Sequence, residues 1–220
     1  MFGKNPKRPP IQNDGLTLDV QEVFATLQGE GPYVGWPAVF VRFGGCNLAC
    51  EFCDTEFESY QAISLPALLS NIEQTASQVR NLVVITGGEP FRQNINPLCI
   101  SLIENNYLVQ IETNGTLYQA VPEEVDIICS PKITNGKYHM VREDLLPRVS
   151  AFKFIIADDD SPYCDVAEVG QSTLGTPVYV QPMDQYDPEK NKKNRARAAF
   201  LAQTRGYRLS LQMHKILGIP

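Results

Sequence analysis

The stretch Ala38-Val39-Phe40-Val41-Arg42-Phe43-Gly44-Gly45-Cys46-Asn47-Leu48-Ala49-Cys50-Glu51-Phe52-Cys53-Asp54-Thr55 decides how this chain is read. Its first six residues are apolar except for Arg42, a short run that suits a buried strand. Three cysteines follow at once. Cys46, Cys50 and Cys53 are spaced C-x3-C-x2-C, with no fourth cysteine nearby and no histidine before His139. A closed structural zinc site takes four protein ligands, usually from paired C-x2-C or C-x2-H arms. Three thiolates can hold a cubic iron–sulfur cluster and leave one iron open to something other than protein. An open iron points to an enzyme. Two other readings of the loop stay open: a zinc site completed by a distant ligand such as Cys129, and a non-enzymatic metal-binding or electron-transfer module.

Composition narrows the class. The 220 residues are 43% hydrophobic, enough for a sizeable core, and the net charge of -6 argues against a broad cationic surface for nucleic acid. The basic run from Lys190 to Arg197 reads as a solvated helix start. No apolar core of a signal peptide follows the basic, proline-rich start, and no run approaches the roughly 18 apolar residues that span a bilayer. Six cysteines are too sparse for a disulfide scaffold, so a cytoplasmic protein with free thiols and no membrane partner is expected. Residues 1–18 read as a flexible tail, and residues 19–220 as one domain without repeats or linkers.

Short, near-continuous apolar runs recur at 38–43, 82–86, 108–113, 126–130, 151–156, 178–182 and 207–212, as buried parallel strands require. Helical spacing lies between several of them. Leu65, Leu68, Leu69, Ile72, Ala76 and Val79 share one face behind Ser64; Asn96-Pro97 suits an N-cap and first turn; a third helix is expected over about 188–204. Strand–helix alternation predicts an α/β fold, an open, partial parallel β/α barrel with its site at the C-terminal strand ends. Polar clusters fall at those ends: Thr86-Gly87-Gly88-Glu89-Pro90, Glu112-Thr113-Asn114-Gly115, Ser130-Pro131-Lys132 and Gln181-Pro182-Met183-Asp184.

The cysteine loop with Phe52 before its last cysteine, followed by Gly87-Gly88-Glu89 after the next strand, resembles the radical S-adenosylmethionine (SAM) superfamily. Thr26-Leu27-Gln28-Gly29-Glu30-Gly31, Cys53-Asp54-Thr55, Ile111-Glu112-Thr113-Asn114-Gly115, Ser130-Pro131-Lys132, Gln181-Pro182 and the ending Arg208-Leu209-Ser210-Leu211-Gln212-Met213-His214-Lys215 resemble, within it, the 7-carboxy-7-deazaguanine synthase family. These motifs run in family order from about residue 20 to the end.

That resemblance implies a fold of the radical SAM type, a ring-contracting lyase and a set of site residues. Cys46, Cys50 and Cys53 would hold a 4Fe–4S cluster whose fourth iron is chelated by SAM. Phe52, Gly87, Gly88, Ser130, Pro131, Lys132, Gln181, Pro182, Met183 and Asp184 would form the SAM cradle, the glycines letting the backbone approach the methionine end. The substrate would be 6-carboxy-5,6,7,8-tetrahydropterin. A 5′-deoxyadenosyl radical would take its C6 hydrogen, ammonia would leave, and 7-carboxy-7-deazaguanine would form on the route to queuosine. Leu27, Gln28, Gly29, Glu30, Arg42, Thr86, His214 and Pro220 would bind that substrate, and Thr55 would be a Mg²⁺ ligand. A reductant protein such as a flavodoxin or ferredoxin, and a homodimer, are also implied.

Plainer readings accompany these residues. His214 alone suits a structural role, His139 a surface one, and Cys99 and Cys164 are non-ligands. Lys153, inside an apolar run, either enters the barrel mouth or snorkels outward; Glu89 and Glu112 organise their loops. The other enzyme class is a glycyl-radical activase, which shares the cysteine loop but leaves Thr26 to Gly31 without a purpose.

Overall fold

The structure is a computed structural model that describes residues 5–53, 55–76 and 81–220. Val79 of the expected first helix and Asp54 of the Cys53-Asp54-Thr55 motif lie outside the described residues. In chain order the elements are β1 (Thr17–Leu27), β2 (Pro37–Phe43), β3 (Gln61–Ser64), α1 (Leu65–Ala76), β4 (Leu82–Gly87), α2 (Asn96–Glu104), β5 (Leu108–Thr113), β6 (Asp126–Cys129), β7 (Ile133–Thr134), β8 (Lys137–Tyr138), β9 (Val149–Ile156), β10 (Val178–Pro182), α3 (Pro188–Arg205), β11 (Arg208–Leu209) and α4 (Met213–Leu217).

Among the described residues one large sheet forms, in the order β11-β10-β9-β6-β5-β4-β2-β1-β3. Along β2-β4-β5-β6-β9-β10-β11 every pairing is parallel and strands adjoin in chain order, with β3 at the far edge and the β7–β8 hairpin set apart. β1 and β3 continue the sheet antiparallel beyond β2. The two edges do not pair, so the sheet is open, as the sequence predicts.

Alternation along each strand sorts side chains onto two faces. Val39, Val41 and Phe43 of β2, Val83 and Ile85 of β4, Ile111 of β5, Phe152 and Phe154 of β9 and Val180 of β10 join one core with Leu68 and Ile72 of α1, Leu98 and Leu102 of α2, and Ala198 and Leu201 of α3. Burial of each large side chain here contributes about 1.5–3 kcal/mol. Helices α1, α2 and α3 all pack on this one face, and the opposite face carries the cavity. Its floor is Ala38, Leu82 and Val84 with Tyr33 and Phe40 against them, and Tyr33 donates its hydroxyl to Asp126 at 2.5 Å. Above that floor the inward residues turn polar: Arg42, Thr86, Gln110, Glu112, Lys153 and Gln181.

Helix ends follow local chemistry. Asp187 caps α3 by accepting from the amides of Glu189 and Lys190, Pro188 opens the first turn, and Gly206 closes the helix at φ 72°. α2 includes Asn96 as its first residue, and the capping oxygen comes instead from Asn94, whose Oδ1 accepts from the Asn96 amide at 3.2 Å. The expected strand at 207–212 shortens to two residues because the chain turns into α4.

Residues 5–16, within the expected tail, run along the cysteine loop. Lys7 bridges Cys46 in parallel, the Arg8 amide donates to the Cys46 carbonyl at 2.7 Å, and the Ile11 amide to that of Arg92 at 2.6 Å. β1 then begins at Thr17, and Leu18 is fully buried in the main core.

Candidate active site

The cysteine loop leaves the end of β2 and is fixed by its own backbone. Gly45 donates to Phe57 O and accepts from the Glu89 amide, while Gly88 donates to Phe43 O at 3.1 Å. This contact explains the glycine pair. A Cβ on Gly88 would meet Gly45 O at 2.0 Å, and one on Gly87, where φ is +129°, would meet Phe43 O at 2.2 Å. The missing side chains are needed first for the close approach of two strand ends, whatever ligand also lies there. Beneath the loop, the buried Arg92 guanidinium donates to Gly44 O and pairs with Asp19 Oδ2 at 2.7 Å.

Cys46, Cys50 and Cys53 are free thiols that gather around Leu48 and Phe57. Burial pushes the Cys46 thiol up to about 12, with the Glu89 carboxylate adding to the effect, and burial raises Cys50 against the pull of Lys132. Such thiols bind metal only by giving up a proton, so the metal's own charge must drive ligation. Among the described residues no three His, Cys, Asp or Glu side chains are grouped for a single metal ion. A four-iron cube spreads its ligands more widely than one ion does, and a donor set of three cysteine sulfurs fits that softer group.

Glu89 ties the next two strand ends together. It is 0% exposed and accepts from Phe91 N, from Thr113 Oγ1 at 2.8 Å and from Asn114 N at 2.8 Å. Burial raises its carboxyl to about 7 against those three donors. Its role as a loop organiser is therefore visible. Glu112 has a different place.

On the inner face of the sheet, the Lys153 ammonium lies between two carboxylates. It donates to Glu30 Oε2 in a short contact and to Glu112 Oε2 at 2.8 Å. Gln28 and Gln110 donate to Glu112 Oε1 at 3.1 and 3.0 Å, and Gln212 donates to Glu30 Oε1 at 3.0 Å. Burial would lower the Lys153 pKa, but Glu112 and Glu30 outweigh it and hold the ammonium above its ordinary value. Burial likewise pushes Glu30 up, and Lys153 with Gln212 brings it well below the usual carboxylate range. Lys153 thus points inward, and it is a site residue that its apolar neighbours in sequence conceal. Every second residue of β5 and β9 faces inward, which is the signal that Gln110, Glu112 and Lys153 share.

Gln28, Glu30, Glu112, Lys153 and Gln212 line one cavity of about 430 Å³ with the cysteine loop, while Gln110 lies behind Glu112. The volume lies within the range of small-molecule sites. Lys132 reaches back to Ser130 O at 2.7 Å and Ser130 Oγ at 2.6 Å, and burial lowers its pKa. Phe52 meets the Tyr163 ring edge-on at 5.2 Å. Beside the cavity the segment after β1 meets the ending at 210–220. Ser210 Oγ accepts from Gly31 N and donates to Gln181 Oε1, and the Met213 amide donates to Gly29 O. A Cβ on Gly29 would strike His214 Nδ1 at 2.3 Å. Thr26 donates its hydroxyl to the Pro220 carbonyl at 2.6 Å.

Of the site residues read from the sequence, Cys46, Cys50, Cys53, Thr55, Phe52, Gly87, Gly88, Ser130, Lys132, Gln181, Pro182, Met183, Asp184, Leu27, Gln28, Glu30, Arg42, Thr86, His214 and Pro220 line this cavity. Pro131 and Gly29 are buried and are not among its lining residues. The site is also deeper than strand ends alone: Gln28, Arg42 and Lys153 line its wall below the cysteine loop. An open sheet leaves its inner face free for ligand, where a closed barrel fills it with side chains.

Residues 40–135 match the model of the radical SAM superfamily. The whole chain is 52% identical to a 7-carboxy-7-deazaguanine synthase of Rickettsia prowazekii, covering 96% of that protein. It is 44% identical to that of Rhodospirillum rubrum over the full length of both. The fold is similar to the crystal structure of QueE from Escherichia coli, with a TM-score of 0.71 and 27% identity over 89% of this chain and 94% of that one. With full-length relatives above 30% identity, an open sheet of matching shape and three thiols at its upper end, the chain belongs to the 7-carboxy-7-deazaguanine synthase family of the radical SAM superfamily.

Proposed function

We infer that this chain contracts the ring of 6-carboxy-5,6,7,8-tetrahydropterin to 7-carboxy-7-deazaguanine with loss of ammonia, a step toward queuosine. One observation carries the reading: three thiols and a buried Glu30–Lys153–Glu112 array line the same small-molecule cavity. Membership of the superfamily implies a 4Fe–4S cluster and SAM, and the all-sulfur donor set of Cys46, Cys50 and Cys53 fits such a cluster. When bound, the two supply one-electron, hydrogen-abstracting chemistry.

The protein's part is binding, orientation and exclusion of water. Phe52, Gly87, Gly88, Ser130, Lys132 and the turn from Gln181 to Asp184 would frame SAM, with Pro131 supporting that wall from behind. Leu27, Gln28, Glu30, Arg42, Thr86, His214 and Pro220 would meet the pterin, with Gly29 making room for the His214 ring. Lys153 keeps Glu30 charged, so that its carboxylate stays an acceptor for the N–H edge of a guanidine-like ring. Thr55 would ligate Mg²⁺, an ion that keeps few protein contacts when substrate oxygens supply the rest. The segment at 28–36 and the ending at 210–220 limit access to the cavity, which favours a small substrate over a protein side chain. A reductant protein such as a flavodoxin or ferredoxin and a homodimeric state complete the proposal. Among the described residues no helix is long and apolar enough to cross a membrane.

The test is anaerobic reconstitution with iron and sulfide, then reductant, SAM, Mg²⁺ and the carboxylated tetrahydropterin. The deazaguanine product and ammonia are expected, and the Cys50→Ala variant should form neither. SAM cleavage without that product would assign another substrate; activity retained in Cys50→Ala would end the radical reading.

A further inference from the structure

The first described residues place a side-chain amide beside one of the three thiols. Asn5 Nδ2 lies 2.8 Å from the Thr55 carbonyl and 3.7 Å from Cys53 Sγ, and Asn5 lines the cavity. The segment that carries it is fastened at several points. Arg8 pairs with Glu58 at 2.7 Å, Arg92 Nη1 donates to Pro9 O at 3.4 Å, and Asn13 Oδ1 accepts from Asn94 N at 2.9 Å. Together with the Lys7–Cys46 bridge these contacts lay residues 5–13 along the cysteine loop as a strap.

In the free thiol, Cys53 Sγ donates to the Thr55 carbonyl at 3.6 Å. A cluster ligand is a thiolate and has no proton to donate. Sulfur and carbonyl oxygen would then be two acceptors side by side. The Asn5 amide carries two N–H groups and lies within reach of both. Asn114 Nδ2, 3.9 Å from Cys46 Sγ and 3.0 Å from Asn47 Oδ1, is a more distant counterpart at the first thiol.

We propose that Asn5 is a positioning residue of the cluster: the strap holds its amide as a donor to the Cys53 ligand and to the carbonyl beside it. Hydrogen bonds to ligand sulfur set the potential of an iron–sulfur cluster. A donor there stabilises the more negative, reduced form and raises the potential. This inference rests on the cluster reading of the three cysteines.

The experiment compares the anaerobically reconstituted full chain with Asn5→Leu, Asn5→Gln and a chain lacking residues 1–10, at equal iron content. A redox titration followed by electron paramagnetic resonance gives the midpoint, and a ferrous chelator gives the rate of iron release. Asn5→Leu and the shortened chain should both shift to lower potential, Asn5→Gln should stay near the parent, and the shortened chain should release iron several-fold faster. An unchanged midpoint in Asn5→Leu at full iron content overturns the proposal and leaves the cluster reading intact. Failure of the parent chain to take up a cluster overturns both. If Asn5→Leu sheds iron before titration, Asn5→Gln decides: retention at the parent potential supports the placement, and equal loss overturns it.

Discussion

Replacing Lys153 by Met tests the electrostatics of the inner face. The lysine is 4% exposed and is the shared partner of Glu30 and Glu112. At an effective dielectric of about 20, the Lys153–Glu112 pair at 2.8 Å is worth roughly 6 kcal/mol before desolvation. Taking three charges out of water offsets most of that, so the intact array adds little net stability. Removing only the cation is different, since two largely buried carboxylates, 13% and 19% exposed, lose their shared counter-ion. Breaking such a pair costs about 3–5 kcal/mol, which for a chain of this size lowers Tm by about 6–20 °C.

The pH dependence has a definite sign. In the parent, Lys153 and Gln212 outweigh the burial that alone would raise Glu30, so its folded value lies below its unfolded one. That carboxylate adds stability above the unfolded value and loses it as pH falls through the folded value. Lys153 is shifted up by Glu112 and Glu30 against burial, so its contribution is complete below its unfolded value and is lost only as pH rises through the folded one. Both contributions are present at pH 7. In Lys153→Met, burial of Glu30 is opposed only by Gln212 and His214, and its carboxyl takes up a proton more readily as pH falls. The gap between parent and variant should therefore be widest near pH 8 and narrow toward pH 5. Thermal melts across that range, on proteins matched in iron content, provide the check. A gap below about 1 kcal/mol at pH 7, or one that grows toward pH 5, would refute the reasoning, since loss of one partner of a buried pair must cost more than a surface substitution.

Gly88→Ala sets a Cβ 2.0 Å from Gly45 O, so the cysteine loop must move; a loss of about 1–3 kcal/mol or more is expected, with fewer irons bound per chain. Full iron content at parent stability would sink the backbone account of this glycine. Gly29→Ala displaces the His214 ring, which predicts a raised KM for the pterin at unchanged iron content; an iron defect instead would mean that this contact supports the cluster end. Arg92→Lys loses the fork onto Gly44 O and Asp19 and leaves a buried carbonyl short of donors, at a cost of about 1–3 kcal/mol in urea denaturation. An unchanged denaturation midpoint would count against that clamp.

Much of the frame is legible in the sequence because parallel strands covered on one face by helices are short, apolar and punctuated by polar turns. The runs ending at Phe43, Thr86, Thr113, Ser130, Ile156 and Pro182 each correspond to a strand whose end borders the cavity. β1 escapes the same reading. Its pairing is antiparallel, and Glu22 and Gln21 interrupt the apolar pattern near a register shift between Val20 and Glu22. The Lys153 array is hidden for another reason: Glu30, Glu112 and Lys153 lie far apart in sequence, and the strand register of β5 and β9 with the loop after β1 brings them together. The glycine pair shows the opposite case, where the residues are identified correctly but the need for close backbone approach at both, and for a positive φ at Gly87, comes from the neighbouring strand end. The stretch at 5–13 is apolar-poor, so periodicity says nothing of it, and its order comes from hydrogen bonds to the cysteine loop.

The linear strand order bears on how the molecule is made. Along β2, β4, β5, β6, β9, β10 and β11 the strands adjoin in chain order, so during synthesis each of them meets an edge that is already formed. The growing edge is covered at each stage by the next arrival, and the finished edges are short strands of four and two residues, poor templates for pairing with another chain. The closing contact between Gly31 and Ser210, separated by 179 residues, comes at the very end. The cysteine loop is therefore made well before the segment at 210–220 that lines the cavity, which leaves the nascent site accessible from the inner face until that segment arrives.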